Sequence, residues 1–465
     1  MPDDDSRRPP EDLADDDLLD ADDAAEEIPE DPDHPMDEDE NLEEEEEIQL
    51  QNDSVAHFDN HTDSIFCIAQ HPTNPSIVVT GGGDDVAYLF DASIPESQTN
   101  SQLQDERQSI PPIQKFDGHT DSVNAASFTY PRGEYVVTAG LDGKLRAWKS
   151  DDASGKRWTF MAEASEVQEI NWVSACPDPD QENAIALGAG DGSVWVYQIN
   201  AADEASPLTI VQAFYLHTAS CTAGAWTPDG KLLATVSEDG SLYVWDVFST
   251  GQAVVSFTAA DQRFEVEGGL YIVACTSSMV AAGGAEGHIK VVGLPQPADP
   301  TSKSAKGGSG GSRGPASSAG QILASLQAQS DGVETLSFSS PPLNLLAAGS
   351  VDGSIALFDT AHRFAVKRHI KEAHEDYAVV KVDFVRNPQR GWWILTSAGM
   401  DGVVRRWDVR GGTAAASQGL IDEWKGHRGE GEGGGVLGFV QGGGGSRIVT
   451  AGDDGVALVF RADVA

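Results

Sequence analysis

Three sets of residues in this chain hold an imidazole, a hydroxyl and a carboxylate at similar spacing. They are His119, Thr138 and Asp142; His217, Thr235 and Asp239; and His374, Ser397 and Asp401. One such set would suit nucleophilic catalysis, the imidazole taking the hydroxyl proton and the carboxylate orienting the imidazole. A catalytic set occurs once, whereas these recur, and six residues past each acid stands a tryptophan: Trp148, Trp245 and Trp407. Recurrence points to a repeated scaffold network, in which an indole N–H needs an acceptor, a hydroxyl relays and a buried carboxylate needs donors. The signatures Gly-x-x-x-x-Gly-Lys-Ser/Thr and His-Glu-x-x-His are absent. His369 and His374 fit a scaffold or surface role better than a metal pair, and the Gly-rich run 431–445 lacks the flanking strand, helix and lysine of a phosphate loop. The expectation is a protein without catalysis, cofactor or metal.

The elements that position these residues are legible in Gly118–Trp148. A Gly-His opens the stretch, and an alternating apolar strand follows. A Pro-Arg-Gly turn leads to a second strand, and a Leu-Asp-Gly turn to a third that closes on Trp148. The anchor, an acid six residues before an aromatic, recurs as Asp84/Phe90, Asp142/Trp148, Asp191/Tyr197, Asp239/Trp245, Asp352/Phe358, Asp401/Trp407 and Asp454/Phe460. A weaker unit has Glu286 and Val292 in these places, which makes eight. Self-similarity at this period, with Gly-His early and Trp-Asp late, marks an all-β, eight-bladed WD-repeat β-propeller. After Phe460 five residues remain, too few for an outer strand, while the period-two stretch Ile48–Phe58 has no blade of its own. That N-terminal strand is therefore expected to complete the eighth blade and remove an exposed edge.

The net charge of −45 makes duplex nucleic acid and anionic membranes poor partners and a basic protein the natural one. Residues 1–50 hold 25 Asp/Glu against two Arg, so the remaining chain is also strongly acidic. Residues 1–47 bury too little apolar surface to offset ordering and read as a disordered acidic tail, either solubilising or steering a basic partner. The propeller reads as 48–465, with flexible insertions near 92–112 and 301–320, the latter between the fifth and sixth units. Cys67, Cys176, Cys221 and Cys275 are far apart and form neither a disulfide framework nor a zinc motif. The acidic start is unlike a signal peptide. A reduced, cytoplasmic monomer is expected.

Propellers bind partners mainly on one face, around the central channel. The positions just after each histidine and just before each anchor acid are expected to line it. Here they are Asp63, Asp121, Glu169, Glu238, Asp331, Glu375, Asp376, Glu430 and Asp453; no lysine occurs among them and Arg428 is the one arginine. Acids converging from different blades focus field and raise on-rates by roughly 10–10³. A short Arg/Lys-rich peptide suits such a site.

Several stretches carry a closer resemblance: Phe58–Ile65 (FDNHTDSI), Thr80–Asp84 (TGGGD), Gly190–Asn200 (GDGSVWVYQIN) and Val449–Phe460 (VTAGDDGVALVF). With the acidic tail and eight units, these resemble the fungal WD-repeat ribosome-assembly chaperones of the large-subunit ribosomal protein L-ten (universal L-sixteen), whose animal relative is the angio-associated migratory cell protein. The resemblance spans about 48–465. It implies a chaperone that holds the basic N-terminal segment of a newly made ribosomal protein on an acidic propeller face during cytosolic large-subunit assembly, with Asp121 and Asp453 in contact. A scaffold for histones or for signalling and cell-migration partners is the competing expectation.

Overall fold

The structure is a computed structural model and describes residues 51–93, 107–151, 155–295, 318–386, 393–411, 419–428 and 434–462. The acidic residues 1–47 and Glu430 lie outside the described residues, as do 94–106 and 296–317 of the two insertions. The propeller belongs to the unit Leu50–Ala465.

Among the described residues eight sheets form, each with four antiparallel strands from an innermost to an outermost one. The second blade is representative, with strands Val123–Phe128, Tyr135–Gly140, Leu145–Ser150 and Trp158–Ala164. The innermost strands of successive blades are neighbours around a closed ring. Second strands such as Ile77–Gly82, Tyr135–Gly140 and Ala184–Ala189 are buried at every position. They are near-continuous apolar runs because both faces pack against other blades, the pattern of any strand covered on both sides. Outermost strands revert to alternation, as Ile322–Gln327 does, because one face meets water.

Ring closure follows the expected route. Ala56–Phe58 pairs antiparallel with Ala457–Arg461, Ala56 facing Val459 and Phe58 facing Ala457. Phe58 is fully buried and stacks on Phe90 of the first blade, centroids 4.4 Å apart. Burying such a side chain contributes about 1.5–3 kcal/mol.

Two features depart from the sequence reading. The stretch 92–112 is not wholly a flexible insertion: Gln108–Ser109 adds a parallel fifth strand to the eighth blade, and Pro112–Phe116 is the outermost strand of the first. The cause is Ile110, 5% exposed, which enters the closing core while its N–H donates to His57 O at 2.8 Å. The stretch 301–320 does not separate two blades. It falls between the third and outermost strands of the fifth blade, Gly320 N–H donating to Gly293 O at 2.9 Å at its foot.

Every innermost strand carries a bulge one residue after its start, with register shifts at Ile65/Cys67, Val123/Ala125, Ile170/Trp172, Cys221/Ala223, Leu270/Ile272, Val333/Thr335, Val379/Lys381 and Val436/Gly438. A bulge re-aims the extra side chain. In three blades that side chain stitches the ring: Asn124 donates to Ile170 O at 2.8 Å, Asn171 to Cys221 O at 3.1 Å and Thr222 to Leu270 O at 2.7 Å. Among the described residues no helix is long and apolar enough to cross a membrane.

Candidate partner-binding face

The recurring polar residues form hydrogen-bonded sets inside the blades. In the seventh blade Trp407 Nε1–H donates to Ser397 Oγ at 2.8 Å. Ser397 meets His374 Nε2 at 2.8 Å, and His374 Nδ1 meets Asp401 Oδ1 at 2.8 Å. An ionised carboxylate only accepts, so a neutral imidazole there carries its proton on Nδ1 and accepts from the hydroxyl through Nε2. Donation thus runs one way, from indole to hydroxyl to imidazole to carboxylate. The buried Arg405 also clamps Asp401 and reaches Glu423 at 2.8 Å.

The other two sets vary. In the fourth blade Trp245 donates to Thr235 at 2.9 Å and Thr235 meets His217 at 2.8 Å, but Ser241 stands between His217 Nδ1 (2.6 Å) and Asp239. In the second blade His119 bonds Asp142 at 3.0 Å and Thr138 at 2.8 Å. Trp148 makes no hydrogen bond to Thr138: its ring lies 4.7 Å from that of Phe116 and 5.8 Å from that of Phe160, with the Arg146 guanidinium 5.7 Å away. The four-member set expected there is therefore a three-member one. Sequence reasoning did not assemble two further sets, His61–Thr80–Asp84 and His427–Thr450–Asp454, because it used the terminal Trp as the mark of a full set. In the third blade Tyr197 donates to Glu166 at 2.6 Å instead.

These bonds leave the sets acid-sensitive. Burial lowers His217 to about 4, the nearby Asp239 charge only partly opposing it, and burial likewise lowers His119 and His374. Burial would raise Asp239, but hydrogen bonds from Ser241 and Thr218 hold it at about 2. An unfolded histidine binds its proton near 6.5, so His217 contributes stability that is full above that pH and is lost as pH falls from 6.5 towards 4. The depressed carboxylate acts in the same direction at lower pH. The thermal midpoint is expected to fall over this range, and less steeply in His217→Gln, which has the side chain that Gln329 supplies in the sixth blade. Equal slopes would contradict the assignment. None of the four thiols is set up as a nucleophile: burial pushes Cys67, Cys176, Cys221 and Cys275 each to about 12.

The loops that carry the histidines and the turns that carry the anchor acids meet at one end of the ring. Turn glycines of several blades approach the loop of the next, and Asp85, at φ 62°, takes that position in the first blade. A Cβ at Gly143, which has φ +71°, would run into Val167 O, and one at Gly455 would come within 3.1 Å of Asp63 O. Asp63, Asp121, Glu169, Glu238, Asp331, Glu375 and Asp376 are all exposed at this end. Asp63, Asp121 and Asp331 share a geometry: Oδ1 accepts the next residue's N–H at 2.7, 2.8 and 2.6 Å, a bond that orients the carboxylate. Asp453 differs. It is half-buried where the eighth blade meets the first, and Ser64 Oγ donates to it at 2.6 Å. Asp453, Asp63 and Asp121 thus sit on three successive blades. Two acids at this end escaped sequence reasoning. Glu267 lies in the loop before the fifth blade, where no histidine marks the position. Glu334 occupies the bulge of the sixth blade, its carboxyl pushed up by burial and then by Asp331.

The fold and its polar sets define a WD-repeat propeller, and the WD domain, G-beta repeat family matches residues 52–91, 110–149, 208–246 and 320–359. The chain is 28% identical over 438 residues to the ribosome assembly protein SQT1 of Saccharomyces cerevisiae, covering 89% of this chain and 88% of that one. It is 26% identical over 423 residues to the human angio-associated migratory cell protein, covering 88% of this chain and 80% of that one. The crystal structure of Chaetomium thermophilum Sqt1 bound to the N-terminus of the ribosomal protein L10 superposes with a TM-score of 0.77 at 51% identity, covering 89% of this chain and all of that one. The chain belongs to the Sqt1 family of ribosome assembly proteins.

Proposed function

We propose that the acidic end of this propeller captures the basic N-terminal segment of the large-subunit ribosomal protein L10 and chaperones it during cytosolic assembly of the large subunit. The observation that carries this reading is the 51% identity, across the whole of the solved chain, to an Sqt1 bound to that segment. The acids on successive blades supply the matching chemistry. Each exposed pair contributes only about 0.2–1 kcal/mol, so affinity requires several at once and falls with salt. Asp121, Asp453 and the acids around them are the contact residues in this reading, and the protein performs no chemical step. Residues 1–47, rich in acids, act as a steering arm for the client.

Co-expression tests the proposal. L10 is expected to stay soluble with the full chain and to precipitate when its own N-terminal segment is deleted. L10 equally soluble with and without that segment would overturn the reading. Association at low salt is expected to slow when residues 1–47 are removed, and an unchanged rate would remove the steering role.

A further inference from the structure

On the third blade, exposed aromatic surface and an open carboxylate flank one face of the strand that carries Trp195 and Tyr197. Tyr215 is 65% exposed and Leu216 50% exposed. They follow the outermost strand Leu208–Phe214 and precede His217, and so lie at the end of the ring that carries the acids. The Tyr215 ring meets Trp195 edge-on, centroids 5.8 Å apart at 85°. Trp195 Nε1–H donates to Ser193 Oγ at 2.9 Å, which fixes the indole. Tyr197, two residues further along the same strand, projects to the same face as Trp195 and donates its hydroxyl to Glu166 at 2.6 Å. Glu166 is itself exposed, and among the described residues its second oxygen has no partner.

We propose that this corner receives an arginine side chain of the basic client segment, its guanidinium lying against Tyr215 and pairing with Glu166. The inference rests on the L10 reading and adds a specific seat to it. A flat cation meets both requirements of the corner: its face packs on an aromatic ring and its edge offers N–H donors to a carboxylate. A purely apolar group would cover Tyr215 but strip water from Glu166 without replacing its hydrogen bonds. A lysine ammonium pairs with the carboxylate but lacks the plane that stacks.

The test titrates a synthetic peptide of the L10 N-terminal segment onto the full chain. Tyr215→Ala is expected to weaken binding about 3–10-fold, the range of an exposed cation–π contact reinforced by partial desolvation. Tyr215→Phe keeps the ring and is expected to bind like the unaltered chain. Replacing the peptide's basic residues by glutamine one at a time should single out one arginine, whose loss costs at least that factor on the unaltered chain and distinctly less on Tyr215→Ala, where only the Glu166 pairing remains to be lost. Unaltered binding by Tyr215→Ala, or losses that multiply for every peptide position, would overturn the corner and leave the L10 reading standing. No binding by the unaltered chain would overturn the reading and the corner with it.

Discussion

Changing Asp121 and Asp453 together to lysine is expected to weaken capture of the L10 segment by about 100-fold or more. Removing one partner of a charge pair that the bound client buries costs about 2–5 kcal/mol, well above the roughly 0.2–1 kcal/mol of pairs left exposed, and a tenfold loss needs about 1.4 kcal/mol. Reversal adds repulsion to that loss. The two acids sit on the second and eighth blades with Asp63 between them, so one peptide crossing the ring closure would meet all three. Asp121→Lys is benign to the fold because Asp121 is exposed and, among the described residues, bonds only the adjacent Ser122 N–H. Asp453→Lys also removes the Ser64 bond, a loss of about 1 kcal/mol of stability. A thermal melt of the double variant separates this cost from the binding loss. Less than a tenfold change in affinity would place the client elsewhere.

Asp401→Ala is expected to destabilise the propeller by about 3–5 kcal/mol, the range for removing one partner of a buried ion pair. Its side chain is 6% exposed, and its carboxylate accepts from His374 at 2.8 Å, from Val403 N–H at 3.2 Å and from Arg405. Burial would raise this carboxyl, but His374 and Arg405 together outweigh it and hold it low. Without it, Arg405 keeps, among the described residues, only Glu423 as a carboxylate partner and His374 loses the acceptor for its Nδ1 proton. Urea unfolding measures the difference, with the exposed Asp331→Ala as a control expected to change little. A loss below about 1 kcal/mol for Asp401→Ala would mean the set contributes little to folding.

The anchor pairs were legible because an acid in the turn and an aromatic on the next strand are six residues apart whenever turn and strand pair in one register. Asp142 and Trp148 therefore mark a blade even though Trp148 makes no bond to Thr138. Closure was legible because the period-two stretch Ile48–Phe58 precedes the first unit and has no blade of its own. The eight bulges were not, because a one-residue register shift leaves no mark in composition, and with them went the roles of Asn124, Asn171, Thr222 and Glu334. Ser241, which separates His217 from Asp239, looks like an ordinary turn residue in sequence. Arg405 reads as a strand residue among others until the packing puts it on Asp401. Tyr215 and Leu216 drew no notice because apolar residues ending a strand are usually buried, and only the fold leaves them open to water.

The most direct measurement is a titration of the L10 N-terminal segment onto the full chain at low and at physiological salt. The account predicts saturable one-to-one binding that weakens as salt rises, because the contact is carried by several exposed carboxylates acting together. No saturable binding at low salt, or an affinity indifferent to salt, would contradict it.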